Sequence, residues 1–194
     1  MKTIAILLAA GGSSRFGSSK QFLKFEGEPL LRRSLHALLN SHVQRVIAVL
    51  GANHEYCRAH MDDLPVECIV NRRWRDGMAG SIILGLEAAL RVEPQLDAVV
   101  IALCDQPHMT SRLINEIIAL HHETGVGKIA SVYGEAQGLP AFFNKPHFLE
   151  LLSLKGDESA RSLLRGDDVA LVSFPEGSVD IDTREQYQEL VSAG

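Results

Sequence analysis

Short apolar runs alternate with longer amphipathic segments along this chain. The apolar runs are rich in β-branched residues, which predicts strands at Thr3–Ala9, Arg45–Leu50, Val66–Val70, Ala98–Leu103, Ile129–Tyr133 and Ala170–Ser173. Apolar residues at helical spacing predict helices at Pro29–Leu39, His54–Met61, Ser81–Leu90, Ser111–His122, His147–Leu152, Glu158–Leu164 and Arg184–Val191. Apolar strands between such helices are typical of an α/β fold, with a mostly parallel sheet and helices on both faces.

Local signals refine the ends of these elements. Pro29 suits the first turn of a helix, Thr110 or Ser111 can cap the helix that follows, and a capping box begins at Thr183. The segment from Gly134 to Phe143 contains glycine and proline, and we interpret it as a loop that is suited to form a lid.

The composition is that of an ordinary globular protein. Of the 194 residues, 46% are hydrophobic and 22% charged, so we expect one domain that spans residues 1–194. No apolar run approaches the about 18 residues of a transmembrane helix, and we interpret Ile4 to Ala10 as a buried strand instead of a signal peptide. The three cysteines form no Cys-x-x-Cys pair, which favours a reducing, cytoplasmic location over a disulfide framework or a zinc site.

The net charge of −5 excludes a broad basic surface for nucleic acid. We therefore predict neither a nucleic acid nor a membrane as a partner. A polyanionic ligand must be bound through local positive charge or through a metal ion.

A glycine- and serine-rich segment follows the first predicted strand and reads Leu8-Ala9-Ala10-Gly11-Gly12-Ser13-Ser14-Arg15-Phe16-Gly17-Ser18-Ser19-Lys20. Small residues at the carboxyl end of a buried strand bring backbone N–H groups close to a phosphate. Arg15 can fork onto phosphate oxygens, and Lys20 adds a point charge. The P-loop template fails because Ser18-Ser19 stands where its Lys-Ser/Thr is needed, and the dinucleotide template fails because no Gly-x-Gly-x-x-Gly is present. A Gly/Ser turn with solvated Arg15 and Lys20 is the structural alternative.

Two further segments carry candidate chemistry. Asp105 ends an apolar strand, so its carboxylate is expected at the ligand-binding edge of the sheet, with a loop or cap carboxylate as the alternative. The segment from Trp74 to Ser81 contains glycines that permit close backbone approach, and Ser81 is suited to bind a base. A simple N-cap role for Ser81 is the competing interpretation. We interpret Arg72, Arg73 and Arg75 as a solvated face, and Cys104 as a small buried hydrophobe.

Several motifs occur in one order along the chain: Leu8-Ala9-Ala10-Gly11-x-x-Ser14-Arg15-x-Gly17-x-x-Lys20, Asn71-x-x-Trp74-x-x-Gly77-Met78-x-x-Ser81, Cys104-Asp105-Gln106-Pro107, Gly138-x-Pro140-x-x-Phe143, Gly156-Asp157-x-x-Ala160-Arg161 and Asp180-Ile181-Asp182-Thr183. Together they resemble the molybdenum-cofactor nucleotidyltransferase family, and this resemblance spans residues 4 to 190. The first loop is most similar to the cytidylyltransferases that join CTP to molybdopterin, because guanylyl-transferring relatives have Leu-Ala-Gly-Gly there. The resemblance implies a Rossmann-like three-layer nucleotidyltransferase fold.

The same resemblance implies an activity and a set of site residues. The activity is transfer of CMP from CTP to the phosphate of molybdopterin or the molybdenum cofactor, with release of pyrophosphate. Mg²⁺ is the implied cofactor, with Asp105 and Asp182 as metal ligands and Asp180 in reserve, although an acid before a helix also favours the helix dipole. The implied catalytic residues are Arg15, Lys20 and Asp105. The nucleotide-binding set is Leu8, Ala9, Ala10, Gly11, Gly12, Ser13, Lys20, Asn71, Gly80 and Ser81. A molybdenum enzyme that receives the product is an implied partner.

Departures from the family pattern leave the acceptor open. Phe16 stands where the family has methionine, and Lys20-Gln21-Phe22-Leu23 is similar to the cytidylyltransferases of isoprenoid synthesis. Methylerythritol phosphate is therefore an alternative acceptor, although Gln106-Pro107 departs from that family. Two alternatives from other classes are a cofactor carrier without turnover and a non-enzymatic Rossmann-like interaction domain.

Overall fold

A seven-stranded sheet forms the centre of the fold in the computed structural model, which describes residues 1–11, 20–179 and 187–188. The strands, including those of a small separate hairpin, are β1 (Thr3–Ala9), β2 (Lys24–Phe25), β3 (Glu28–Pro29), β4 (Arg45–Leu50), β5 (Val66–Val70), β6 (Ala98–Leu103), β7 (Lys128–Tyr133), β8 (Ala136–Asn144) and β9 (Val169–Ser173). Their order across the main sheet is β5-β4-β1-β6-β8-β7-β9. Only β8 is antiparallel to its neighbours within this sheet, which confirms the prediction of a mostly parallel sheet.

Helices cover both faces of the sheet. They are α1 (Leu30–Leu39), α2 (His54–Ala59), α3 (Met78–Val92), α4 (Ser111–Thr124) and α5 (Phe148–Leu152), with 3₁₀ helices at Lys20–Phe22, Trp74–Asp76, Lys145–His147, Ala160–Leu163 and Pro175–Ser178. Helices α1, α2 and α4 pack on one face, and α3 and α5 pack on the other. Every residue of β1 is buried, which explains why this strand is a continuous apolar run in the sequence. Within the described ranges, the helices lack the combined length and apolarity that a membrane span requires.

Most predicted elements are confirmed, with corrections at their ends. Strands β1, β4, β5 and β6 have the predicted bounds, and β7 and β9 each begin one residue earlier. The Thr110 hydroxyl caps α4 by accepting a hydrogen bond from the Leu113 N–H at 3.2 Å. The helix predicted at Glu158–Leu164 is a shorter 3₁₀ helix. The capping box at Thr183 lies outside the described residues, as does the predicted last helix apart from residues 187–188.

The prediction of a loop or lid from Gly134 to Phe143 is wrong. This segment contains most of β8, which lies between β6 and β7. Its register with β7 shifts at Ser131, so Leu139 and Pro140 have no opposite partners in that pairing. A proline has no N–H to donate, and such an irregularity is where a sheet tolerates one. The sequence shows the same glycine and proline residues for a bulged strand as for a loop, which explains the error.

Helix α3 lies close to the sheet because Gly85 has no side chain. A Cβ atom at this position would lie 2.5 Å from Ile6 Cγ2 and 3.1 Å from Val49 Cγ2. Both methyl groups belong to stiff β-branched residues of buried strands, so neither can move away easily. Gly85 therefore sets the distance between α3 and the strands β1 and β4.

We expect Gly85→Val to lower the free energy of unfolding by about 2 kcal/mol, because overpacking a tight core costs about 1–3 kcal/mol. Urea unfolding followed by circular dichroism measures the change. Glu87→Val, on the exposed side of the same helix, is the matched control and should change stability by less than about 0.5 kcal/mol. Equal stabilities of the two variants would contradict the close contact between α3 and the sheet.

Candidate active site

A cavity of about 690 Å³ opens at the carboxyl ends of β1 and β6. Its volume is typical of small-molecule sites, and its position is where parallel sheets bind ligands. The described residues that line it are Leu8, Ala9, Ala10, Gly11, Lys20, Gln21, Trp74, Arg75, Gly77, Met78, Ser81, Leu103, Cys104, Asp105 and Asp157.

The pairing of β1 with β6 brings the glycine-rich segment and Asp105 to one edge. The two strands are parallel neighbours, with Leu8 opposite Leu103. One residue further, the Cys104 N–H donates to the Leu8 carbonyl at 3.3 Å. Asp105 therefore leaves the sheet beside the Ala9–Ala10 backbone, where the turn toward Gly11 begins.

Gln21 anchors the backbone where β1 ends. This side chain is 2% exposed, and its Nε2 donates to the Ala9 carbonyl at 3.2 Å and the Gly11 carbonyl at 2.8 Å. The intervening Ala10 carbonyl accepts a hydrogen bond from the Ala52 N–H at 3.2 Å. All three carbonyl oxygens are thus bound by protein donors, and carbonyl oxygens directed at a phosphate would repel it. Gln21 was not predicted to have a role, although its position directly after Lys20 in a motif was the available signal.

Charges of opposite sign act on Cys104. Burial raises the pKa of the Cys104 thiol well above its usual range, and the Asp105 carboxylate adds to this rise. The Lys20 ammonium acts in the opposite direction and lowers the pKa of the same thiol. Lys20 and Asp105 are therefore both near Cys104, which is a neutral, buried residue as predicted.

Asn71 orients Ser81 in the wall that α3 forms. Both side chains are buried, and Asn71 Nδ2 donates to Ser81 Oγ at 2.9 Å. Asn71 Oδ1 accepts a hydrogen bond from the Arg73 N–H at 2.9 Å, which fixes the orientation of the amide. The helix begins at Met78 after Gly77, so Ser81 is its fourth residue and the N-cap interpretation of Ser81 is wrong.

A contact between two glycines joins α3 to the loop that carries Asp157. Gly77 has φ +115°, and a Cβ atom there would overlap the Gly156 carbonyl. The Ala79 N–H, in the first turn of α3, donates to that same carbonyl at 3.1 Å. Asp157 is consequently held in the cavity wall, a position that its motif in the sequence did not reveal.

The three arginines beside this wall are exposed, as the interpretation of a solvated face requires. Arg73 Nε pairs with Asp76 Oδ2 at 2.7 Å. Arg75 stacks over Trp74, with its guanidinium carbon 4.3 Å from the ring centroid, and both residues line the cavity. One arginine of the exposed group therefore also reaches the candidate site.

The structure brings together most of the predicted site residues that it describes. Those that line the cavity are Leu8, Ala9, Ala10, Gly11, Lys20, Ser81 and Asp105, and Asn71 supports Ser81 from behind. Gly80 lies beside Asn71 and is not among the lining residues. The predicted residues Gly12, Ser13, Arg15, Asp180 and Asp182 lie outside the described residues. Residues 1–11, 20–179 and 187–188 contain no cluster of three or more metal-ligating side chains.

Solved structures share this architecture over the whole chain. Rv0371c from Mycobacterium tuberculosis H37Rv is 25% identical, with a TM-score of 0.81 and coverage of 99% of both chains. A nucleotidyl transferase from Methanothermobacter has a TM-score of 0.80 at 20% identity, and 99% of this chain and 97% of that one are covered. These matches confirm the predicted α/β nucleotidyltransferase fold.

Sequence comparisons agree with the structural ones. Purine catabolism protein PucB of Bacillus subtilis is 32% identical over 200 residues, which cover 95% of this chain and 93% of the relative. A probable molybdenum cofactor guanylyltransferase of Bacillus cytotoxicus is 25% identical over 201 residues, which cover 99% and 98% of the two chains. Residues 5–172 match the model of the MobA-like NTP transferase domain, so the chain belongs to this family of nucleotidyltransferases.

Proposed function

We propose that this protein transfers CMP from CTP to the phosphate of a molybdopterin-type acceptor and releases pyrophosphate. The observation that carries the proposal is the convergence of the Ala9–Gly11 backbone, Lys20 and Asp105 on one cavity. Membership of the family supports an NTP as donor. The molybdenum cofactor in the name of the Bacillus cytotoxicus relative supports the acceptor, and the Leu-Ala-Ala-Gly-Gly loop supports CTP.

The reaction needs positioning and charge neutralisation more than covalent chemistry by the protein. An oxygen of the acceptor phosphate forms a bond to the α-phosphorus of CTP, and the bond from that phosphorus to the bridging oxygen breaks. Pyrophosphate leaves with the electron pair. Backbone N–H groups near Gly11 and the Lys20 ammonium stabilise the negative charge that develops on it.

The donor set fits a magnesium ion that is bound together with the nucleotide. Mg²⁺ favours one or two carboxylates, with phosphate oxygens and water as the other ligands. Asp105 supplies one carboxylate at the end of β6, and Asp182 remains the predicted second ligand. When bound, the ion supplies charge neutralisation at the phosphates. A solved structure of Rv0371c is a complex with manganese, which supports a divalent metal.

Ser81 supports recognition of a base with acceptor atoms. Because Asn71 Nδ2 donates to Ser81 Oγ, the hydroxyl proton of Ser81 is available to the cavity. Cytosine offers the O2 and N3 acceptors on its pairing edge, whereas the N1 and N2 positions of guanine carry donors. The Ser81 hydroxyl can therefore donate to O2 or N3 of cytosine, whereas it finds no acceptor at N1 or N2 of guanine.

We expect CTP to raise the melting temperature more than GTP, ATP or UTP in a thermal-shift panel with Mg²⁺. A ligand at 100 times its Kd stabilises the folded state by about 2.7 kcal/mol.

Ser81→Ala should weaken CTP binding about 3- to 10-fold, since a neutral hydrogen bond contributes about 0.5–1.5 kcal/mol. Ser153→Ala, at an exposed hydroxyl of another helix end, is the control. A larger shift with GTP would assign the protein to guanylyl transfer.

We expect Asp105→Asn to lower kcat for pyrophosphate release at least about 100-fold while leaving the fold intact, because loss of a metal-binding carboxylate removes several kcal/mol of charge stabilisation. The assay contains CTP, Mg²⁺ and purified molybdopterin. Asp167→Asn, an exposed carboxylate far along the chain, should keep wild-type turnover. Undiminished turnover in Asp105→Asn would overturn the metal assignment, and nucleotide binding without turnover in the wild type would favour a carrier.

A further inference from the structure

The sheet continues beyond β6 with the three strands β8, β7 and β9, which the proposed nucleotide site does not use. Strand β8 is antiparallel to β6, with Ile101 opposite Ala141. Gly138 lies three residues before Ala141, toward the end of β6 that leads to Asp105, and pairs with Ser131 of β7.

A buried side chain fixes β8 relative to the Asp105 loop. Gln106 is 1% exposed, and its Nε2 donates to the Leu139 carbonyl at 2.8 Å. The residue after the candidate metal ligand is thus bonded directly to the residue after Gly138. The carboxyl end of β6 and the start of β8 form one rigid edge.

An arginine is held at this edge by a tyrosine. An Nη of Arg161 donates to the Tyr133 hydroxyl, and the guanidinium carbon lies 5.6 Å from the centroid of the same ring. Gly138 leaves room for both groups. A Cβ atom there would overlap the Tyr133 hydroxyl and lie 2.9 Å from Arg161 Nε. The geometry therefore joins Arg161 to Tyr133 and Gly138, two residues of one hairpin that are distant from Arg161 in the sequence.

The charge of Arg161 is not neutralised by any acid that the structure describes. Elsewhere among the described residues, four arginines form ion pairs with carboxylates: Arg32 with Asp63, Arg33 with Glu26, Arg73 with Asp76 and Arg112 with Glu116. Arg161 is half-buried and bonds to a neutral phenol instead. A guanidinium that is permanently charged and bonded only to a neutral hydroxyl can form two parallel hydrogen bonds to a phosphate group.

We propose that Arg161, oriented by Tyr133, binds the phosphate of the acceptor on the side of Asp105 opposite to the nucleotide. The inference rests on the proposed function. Along the carboxyl edge of the sheet, the β1 turn comes first, Asp105 follows at β6, and Arg161 lies against Gly138 of β8 and Tyr133 of β7. In-line transfer requires the attacking oxygen and the leaving pyrophosphate on opposite sides of the α-phosphorus, and this order provides both sides.

In this arrangement Arg161 binds two oxygens of a phosphomonoester and directs a third toward the α-phosphorus. The bond from that oxygen to phosphorus forms as the bond to pyrophosphate breaks, so no further reactant is needed. The substrate class that this edge selects is a phosphorylated small molecule. Tyr133 acts as a positioning residue, since its hydroxyl fixes the guanidinium and does not itself need to touch the acceptor.

Initial rates of pyrophosphate release test this assignment in the whole enzyme, with molybdopterin and CTP each varied while the other saturates. Arg161→Met should raise KM for molybdopterin about 10- to 100-fold, the change expected when one charge-assisted hydrogen bond is lost. The KM for CTP should stay within about twofold of the wild-type value. Arg161→Lys should recover part of this loss because it keeps the charge without the fork. Tyr133→Phe should raise the same KM by a smaller factor, about 3- to 10-fold for one neutral hydrogen bond.

Arg165→Met is the matched control, because Arg165 is an exposed arginine in the same segment, and both of its KM values should equal those of the wild type. Circular dichroism verifies folding, and Arg161→Lys carries the test if Arg161→Met does not fold. Unchanged KM for molybdopterin in the Arg161 variants, or an equal rise in both KM values, would overturn this inference and leave the proposed function standing. Absence of turnover by the wild-type enzyme with any NTP and molybdopterin would instead overturn the proposed function.

Discussion

The parallel pairing of β1 with β6 is the constraint on which the candidate site depends. These two strands are distant in sequence, yet their register makes them end at the same level, with the Cys104 N–H bonded to the Leu8 carbonyl as the final rung. A shift of one residue would turn every side chain of β6 to the other face of the sheet. Each face of the sheet packs against its own set of helices. Such a shift would therefore place each β6 side chain against helices on the opposite face, where it does not fit. The hydrophobic core therefore fixes the position of Asp105 relative to the β1 turn.

This arrangement explains how a chain with a net charge of −5 can offer a site for a triphosphate. Long-range attraction is absent, so local groups must supply the favourable field. Gln21 and Ala52 bind the carbonyl oxygens where β1 ends, which removes the nearest repulsive dipoles. Lys20 adds a cation near Cys104, and in the proposed function a divalent ion would bridge the Asp105 carboxylate and the phosphates. A divalent metal, which enzymes of this kind typically use, fits the site that we propose.

The sequence predicted the strands best in the centre of the sheet, because β1, β4 and β6 are mostly buried and are read as apolar runs. The edge strand β5 also has the predicted bounds, although its Glu67 is exposed. The sequence failed at β8, where Pro140 lies in a register shift that only the neighbouring β7 can reveal. It located Lys20 and Asp105 through chain position and motif. It gave Gln21 and Asp157 no role, since each is placed by a partner that is distant in sequence: the β1 carbonyls for Gln21, and the Gly77 contact for the Asp157 loop.

Two contacts join the parts of the candidate site to each other. The Gln106–Leu139 hydrogen bond ties the Asp105 loop to β8. The contact of Gly77 with Gly156 ties helix α3 to the segment that leads to Arg161. A nucleotide seated against α3 and an acceptor seated near Arg161 would therefore contact a single frame. Because misplacement by about 1 Å can reduce the rate about 100-fold, such a frame favours transfer over hydrolysis by aligning both reactants before the phosphorus–oxygen bond breaks.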